Sequence, residues 1–204
     1  MSLKVPSLDR LVTELSKLPG VGEKTSMRLA FFILKADQSY NLKLQNALND
    51  ILENIKECPT CFSYMEGDGE CSICQDDKRD VHQICVVEEP SDITRIETSG
   101  AFNGKYHVLQ GAISPLDGVQ PEDLKIRELV ARIEAAKESG RPITEVIMAL
   151  DADLEGDTTA LYISRLLGGR VRLTRIAHGV PFGSDIDYID RRTLGRALEN
   201  RVEM

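Results

Sequence analysis

The chain has 204 residues, 42% of them hydrophobic, with no Trp and a formal net charge of −8. That length holds a sizeable core divided into two or three small units. No apolar run approaches the ~20 residues that span a bilayer, and MSLKVPSLDRLVTEL lacks a secretory core, so no membrane partner and a cytoplasmic location are expected.

The charge is unevenly spread. Residues 1–40 hold six Lys/Arg against four acids and residues 158–204 hold eight Arg against five, while residues 41–157 hold 11 basic against 24 acidic. Phosphate binding draws on local clusters, so the negative total does not exclude nucleic acid.

Leu8, Leu11, Val12, Leu15 and Leu18 share one helical face. Pro19-Gly20-Val21-Gly22 then breaks the helix, and a second starts near Glu23 with Met27, Ala30, Phe31 and Leu34 expected inward. LPGVGEKT between two short helices resembles a helix-hairpin-helix motif. Gly20 and Gly22 allow a tight turn, the next helix start offers N–H groups to a phosphate oxygen, and Lys24 and Arg28 project from one side. A plain helical hairpin, with glycines serving only the turn, is the other reading. Contacts of this kind read phosphates without selecting sequence. Leu44, Leu48, Ile51 and Ile55 continue a helical period over 42–57, expected as core or a connection.

Cys58-x2-Cys61 and Cys71-x2-Cys74 stand nine residues apart, with Gly67 and Gly69 to turn the chain between them. Two such knuckles supply four thiolates for a closed, structural Zn2+ site. Two disulfides, disfavoured in a cytosolic chain, and an iron–sulfur cluster use the same residues. Cys85 reads as core, His82 as near the knuckles but superfluous to them, and His178 as a structural hydrogen-bonder.

From residue 82 the pattern alternates strand and helix. Strands are expected at 84–87, 106–110, 146–150 and 171–176, with helices after Ser91 as N-cap, near Leu124–Glu138 and after Asp157. This implies a mostly parallel sheet covered by helices. The turn-rich loop 111–121 is placed over its carboxyl edge. Beyond residue 176, Asp185–Asp190 alternates like a strand, and Thr193–Asn200 reads as a last helix with Leu194 and Leu198 inward.

Two acidic stretches end expected strands: Glu88 in VVEEPSD, and Asp151 and Asp153 in DADLEGD. In open parallel sheets ligands bind at this edge. One reading is a Mg2+ site made of carboxylates and water. The other is acids stabilising a helix N-terminus, Glu155 and Asp157 among them. A Glu after one strand and Asp-x-Asp after a later one resembles the Toprim domain.

The order of hairpin, four-cysteine module, Toprim core and tail resembles the RecR family over essentially the whole chain. CPTCFSYMEGDGECSICQD, ICVVEEPSDI, YHVLQGAISPLDGV and RIAHGVP carry the likeness, as does the tail HGVPFGSDIDYID to TLGRAL, often likened to a Walker B element. The resemblance implies an α/β fold in four regions: a helix-hairpin-helix domain (1–57), a four-cysteine zinc finger (58–81), a Toprim domain (82–176) and a C-terminal segment (177–204). It implies a DNA-repair protein of the RecF pathway without catalytic activity, acting with RecO and RecF to help load RecA onto DNA coated by single-strand-binding protein. It also implies a homo-oligomer, a dimer or ring tetramer. A Mg-dependent Toprim nuclease is the competing function. Glu23 stands where many family members have Pro, and a carboxylate there weakens the hairpin's attraction for phosphate.

Overall fold

The computed structural model describes residues 5–177 and 179–201, so His178 lies outside the described residues. The chain divides into two units, Met1–Ile55 and Lys56–Met204. In the first, Pro6 opens helix α1 (Pro6–Ser16), where its fixed φ suits the first turn. Gly20, at φ +75°, reverses the chain, and α2 (Glu23–Lys35) follows. The buried face of α2 carries Ser26 and Ala30 rather than the expected Met27, Phe31 and Leu34, which are exposed. Residues 29–34 read LAFFIL. With apolar residues all round the helix, periodicity does not select a face, and the small residues mark the close approach.

Helix α3 (Gln38–Asn54) has no buried residue. Leu48 is 57% exposed, Ile51 59% and Leu52 82%. The expected core role of this stretch therefore does not hold within one chain.

Two short strands follow, β1 (Ile55–Glu57) and β2 (Tyr64–Glu66), paired with each other. After the one-turn helix α4 (Ser72–Gln75) comes the main sheet. Its strands are β3 (Asp80–Val87), β4 (Gly104–Val108), β5 (Glu145–Met148) and β6 (Arg172–Arg175), in the order β4-β3-β5-β6. All three pairings are parallel, as the alternation of strand and helix requires. The crossovers hold α5 (Pro90–Ser99), α6 (Ile126–Glu138) and α7 (Leu154–Leu167).

Side-chain alternation along β3 divides the core in two. Ile84 and Val86 pack with Leu129 and Ile133 of α6 and Ile163 and Leu167 of α7. Cys85 and Val87 face the other way, onto Ile93 of α5, Tyr106 and Val108, with Phe62 and Ile73 of the four-cysteine module packed against them. Cys85 is thus core, as read from the sequence.

Three local expectations change. Ser91 does not cap α5; Glu89 and Asp92 form a capping box around it. Pro90 occupies the first helical position, which puts the cap at Glu89, two residues before Ser91. The strand-like stretch Asp185–Asp190 contains a 3-10 turn at Ile186–Tyr188 instead. Helix α8 (Arg191–Glu199) does form, capped by the Asp190 side chain, but Leu198 is 60% exposed rather than inward.

Candidate metal centre and nucleic-acid interface

The four cysteines converge. In the first knuckle the Ser63 carbonyl accepts from Cys58 N–H at 2.7 Å, and the Cys58 carbonyl accepts from Phe62 N–H at 2.9 Å. Phe62 sits at φ +63° to close that turn. In the second, Cys71 precedes α4 and its N–H approaches Cys58 Sγ at 3.4 Å. The sulfurs of Cys58, Cys61, Cys71 and Cys74 all lie within 4.8 Å of one another. Cys58 and Cys74 sulfurs are 3.9 Å apart and those of Cys61 and Cys71 are 3.5 Å apart. Thiolates on a tetrahedral Zn2+ at about 2.3 Å stand about 3.8 Å from each other, so the donor set fits that ion. All five cysteines of the chain are free, which removes the disulfide reading.

Crowding also separates the sulfurs' titrations. Contact with Cys71 is the largest influence on Cys61 and pushes it up to about 12, and the same contact draws Cys71 far down. Four thiolates at this spacing repel unless a cation lies among them. Of the described residues, this is the only set of three or more His, Cys or acidic side chains gathered closely enough to hold a metal ion. His82 takes no part; its Nδ1 pairs with the Pro142 carbonyl at 2.6 Å.

The module is stitched to β4 and the loop that follows it. Cys61 O accepts from Val108 N–H at 2.8 Å, and Phe62 O accepts from Gln110 Nε2 at 2.7 Å. The Lys125 ammonium stands 5.0 Å from the Phe62 ring centre, a cation–π distance. His107, beside that ring, is fully buried. Its Nε2 donates to Lys125 O at 2.7 Å, which leaves Nδ1 as a bare acceptor without a partner among the described residues. Burial, followed by the nearby Arg132 and Lys125 charges, pushes its pKa down to about 4 although the Lys125 carbonyl opposes this.

The acidic trio lies where adjacent parallel strands β3 and β5 end. Two of its members have local partners. Glu88 Oε1 accepts from Asp151 N–H at 3.0 Å, and Asp153 Oδ1 caps α7 by accepting from Gly156 N–H at 2.8 Å. Burial, then the Asp151, Asp153 and Asp92 charges, raise Glu88 against the pull of the Asp151 N–H. Gly156 makes this seat possible. A Cβ there would overlap the Asp151 carbonyl oxygen and stand 3.1 Å from Glu88 Oε1. Its signal in the sequence is only a glycine in the first turn of a helix, where Ala is ordinarily better. Asp157 is not a bare helix-capping acid: it pairs with Arg175, and Arg192 and Arg196 approach it at 3.5 and 3.9 Å. The expected loop at 111–121 is anchored beside this edge, with Gly111 N–H donating to Glu88 O at 3.0 Å and Ile113 N–H to Thr159 Oγ1 at 2.8 Å.

In the first unit, Gly22 is the extended N-cap of α2. Its carbonyl accepts from Thr25 and Ser26 N–H, whereas the N–H groups of Glu23 and Lys24 have no intrachain acceptor among the described residues. No Cβ placed at Gly20 or Gly22 would meet an atom within 4 Å, so the approach to these groups is open. Lys24 and Arg28 are exposed one helical turn apart, and neither enters an ion pair among the described residues.

The comparisons with known proteins cover nearly the whole chain. The RecR helix-hairpin-helix family matches residues 8–52, the Toprim domain 82–177 and the RecR C-terminal family 179–202. A Bdellovibrio bacteriovorus protein named Recombination protein RecR is 55% identical over 99% of this chain and 100% of its own. This chain belongs to the RecR family. Relatives of the same name from Anaeromyxobacter dehalogenans and Geobacter sulfurreducens are 48% and 47% identical, covering 96% and 97% of both chains respectively. Among the described residues, no helix is long and apolar enough to cross a membrane.

Proposed function

We propose that this RecR-family chain is a non-catalytic DNA-binding mediator of recombinational repair, acting with RecO and RecF to help load RecA onto single-stranded or gapped DNA. The observation that carries the reading is the open start of α2, where unpaired Lys24 and Arg28 flank N–H groups without acceptors. A phosphate oxygen satisfies those donors and both cations, and the turn at Gly20 and Gly22 keeps side chains out of its way. The contact is sequence-independent. Glu23 beside it lowers the affinity of one subunit, so joining several weak sites in a homo-oligomer raises the total. The exposed Leu48, Ile51 and Leu52 of α3 support such assembly. The four regions retain the roles of DNA contact, zinc-held module, Toprim scaffold and packing tail.

Zn2+ at Cys58, Cys61, Cys71 and Cys74 is structural in this reading, since four protein ligands leave no open position. Mg2+ at Glu88, Asp151 and Asp153 would have to draw together side chains that do not stand closely enough to hold it, and would offset the Asp151 and Asp153 charges that, after burial, raise Glu88. The trio's backbone bonds favour a scaffold over a nuclease. The deciding assay measures RecA filament growth on gapped DNA coated with single-strand-binding protein, with RecO and RecF present, and follows DNA integrity in Mg2+ and Mn2+. Faster growth with the native chain, lost in Lys24→Ala/Arg28→Ala, is the expected result with intact DNA. Cleavage that survives repurification and disappears in Asp151→Asn would establish the nuclease instead.

A further inference from the structure

Lys105 is buried, 7% exposed, in the edge strand β4. Its ammonium donates to three carbonyl oxygens of the second cysteine knuckle: Ile73 at 2.9 Å, Cys74 at 3.0 Å and Asp76 at 2.8 Å. One of these belongs to a candidate metal ligand. All three ammonium hydrogens are thereby used. The Asp76 carboxylate turns to Arg79, 3.7 Å away, and no ion pair among the described residues includes Lys105. A buried cation without a carboxylate is costly. Four thiolates around a divalent cation carry a net charge of about −2, and that complex is the anion this ammonium faces through the knuckle.

We propose that Lys105 is a positioning residue of the four-cysteine centre, which shapes the Cys71–Cys74 knuckle and offsets the negative charge of the metal–thiolate complex. Its three bonds fix the end of α4 and the main chain at Cys74. Groups outside the ligand sphere act in this way elsewhere, by orienting ligands and tuning the metal. The sequence hides the role, because Lys105 falls just outside the strand expected at 106–110 and belongs to no motif. The proposal rests on the cluster being a metal centre, and its test separates the two.

The test uses the full-length chain with zinc alone, in competition with a chromophoric chelator, and cobalt(II) absorption as a second readout. The native chain binds one zinc. Lys105→Met weakens zinc by about 10–100-fold and moves the thiolate-to-cobalt charge-transfer band to longer wavelength, because electron density on sulfur is less stabilised. Lys105→Gln falls between, and Lys105→Arg lies nearest to native. Tyr106→Phe, which loses the bond to Glu97 Oε1 at 2.6 Å on the same strand, lowers thermal stability but leaves zinc affinity and the band in place. Zinc affinity of Lys105→Met within about threefold of native and an unmoved band would overturn the proposal, against an expected loss of about 10-fold or more. Equal zinc weakening by Tyr106→Phe would do the same. Should Lys105→Met fail to fold, equal affinities for Lys105→Arg and Lys105→Gln would count against it. A native chain that binds neither metal would remove the centre, and this role with it.

Discussion

At the scale of single residues, the molecule depends on side chains whose role is set by one or two neighbours. His107 is the clearest. Nε2 carries the proton because it faces a carbonyl, and Nδ1 lies buried with no acceptor among the described residues for a second one. Its pKa falls from 6.5 to about 4. Below pH 6.5 the unfolded chain therefore binds the proton that the folded chain refuses. Stability declines as pH falls from about 6.5 to about 4 and then levels for this group, a total of about 3 kcal/mol. We expect His107→Gln to flatten that limb of the pH profile in urea titrations. An unchanged slope between pH 6.5 and 4 would assign the acid sensitivity to other groups. None of this was legible in the sequence, where a His inside a strand is ambiguous between core and surface. Cys58, Cys61, Cys71 and Cys74 stood at the other extreme, because their spacing alone specifies the knuckles that the fold then assembles.

At the scale of elements, strands were easier to read than faces. The four runs of the main sheet stand within a few residues of their expected places, clearest where a short apolar run ends in turn formers, as at residues 84–87 and 146–150. The inward side of α2 and the role of α3 were misread because both helices expose much apolar surface in a single chain. The tail was only partly legible: a helix was expected, but its partners were not. Those partners are ionic. Asp157 on α7 gathers Arg175 from β6 and Arg192 and Arg196 from α8. Pairing with Arg175, above all, holds the Asp157 carboxyl below its ordinary range. The contribution is present above that ordinary range and is lost as pH falls through the depressed value. Because the pairs are part-exposed, Asp157→Asn should cost no more than about 1 kcal/mol. Its larger effect is local: α8 loosens, and trypsin cuts at Arg191, Arg192 or Arg196 faster than in the native chain. Equal cleavage rates at low ionic strength would mean that α8 is held by other interactions.

At the scale of the whole molecule, two devices sit in separate units. A parallel sheet carries the four-cysteine module on one side of its core, and a helical hairpin presents donors and cations to solvent. The acidic edge and the net charge of −8 make the chain as a whole a poor polyanion binder. In the proposed function the hairpin supplies the attraction locally. The first turn of α2 was legible in the sequence because glycine spacing dictates it; the freedom of Lys24 and Arg28 from acidic partners was not, since ion pairs depend on folding.

In the proposed function, DNA is held through its phosphates at this hairpin. The most direct test measures DNA affinity against salt for the native chain and for Lys24→Ala/Arg28→Ala, using several unrelated sequences. Weaker binding of similar size is expected on every sequence, with the slope of log K against log salt flatter by about 0.7–0.9 for each phosphate that the variant no longer neutralises. An unchanged affinity and slope in the double variant would contradict it.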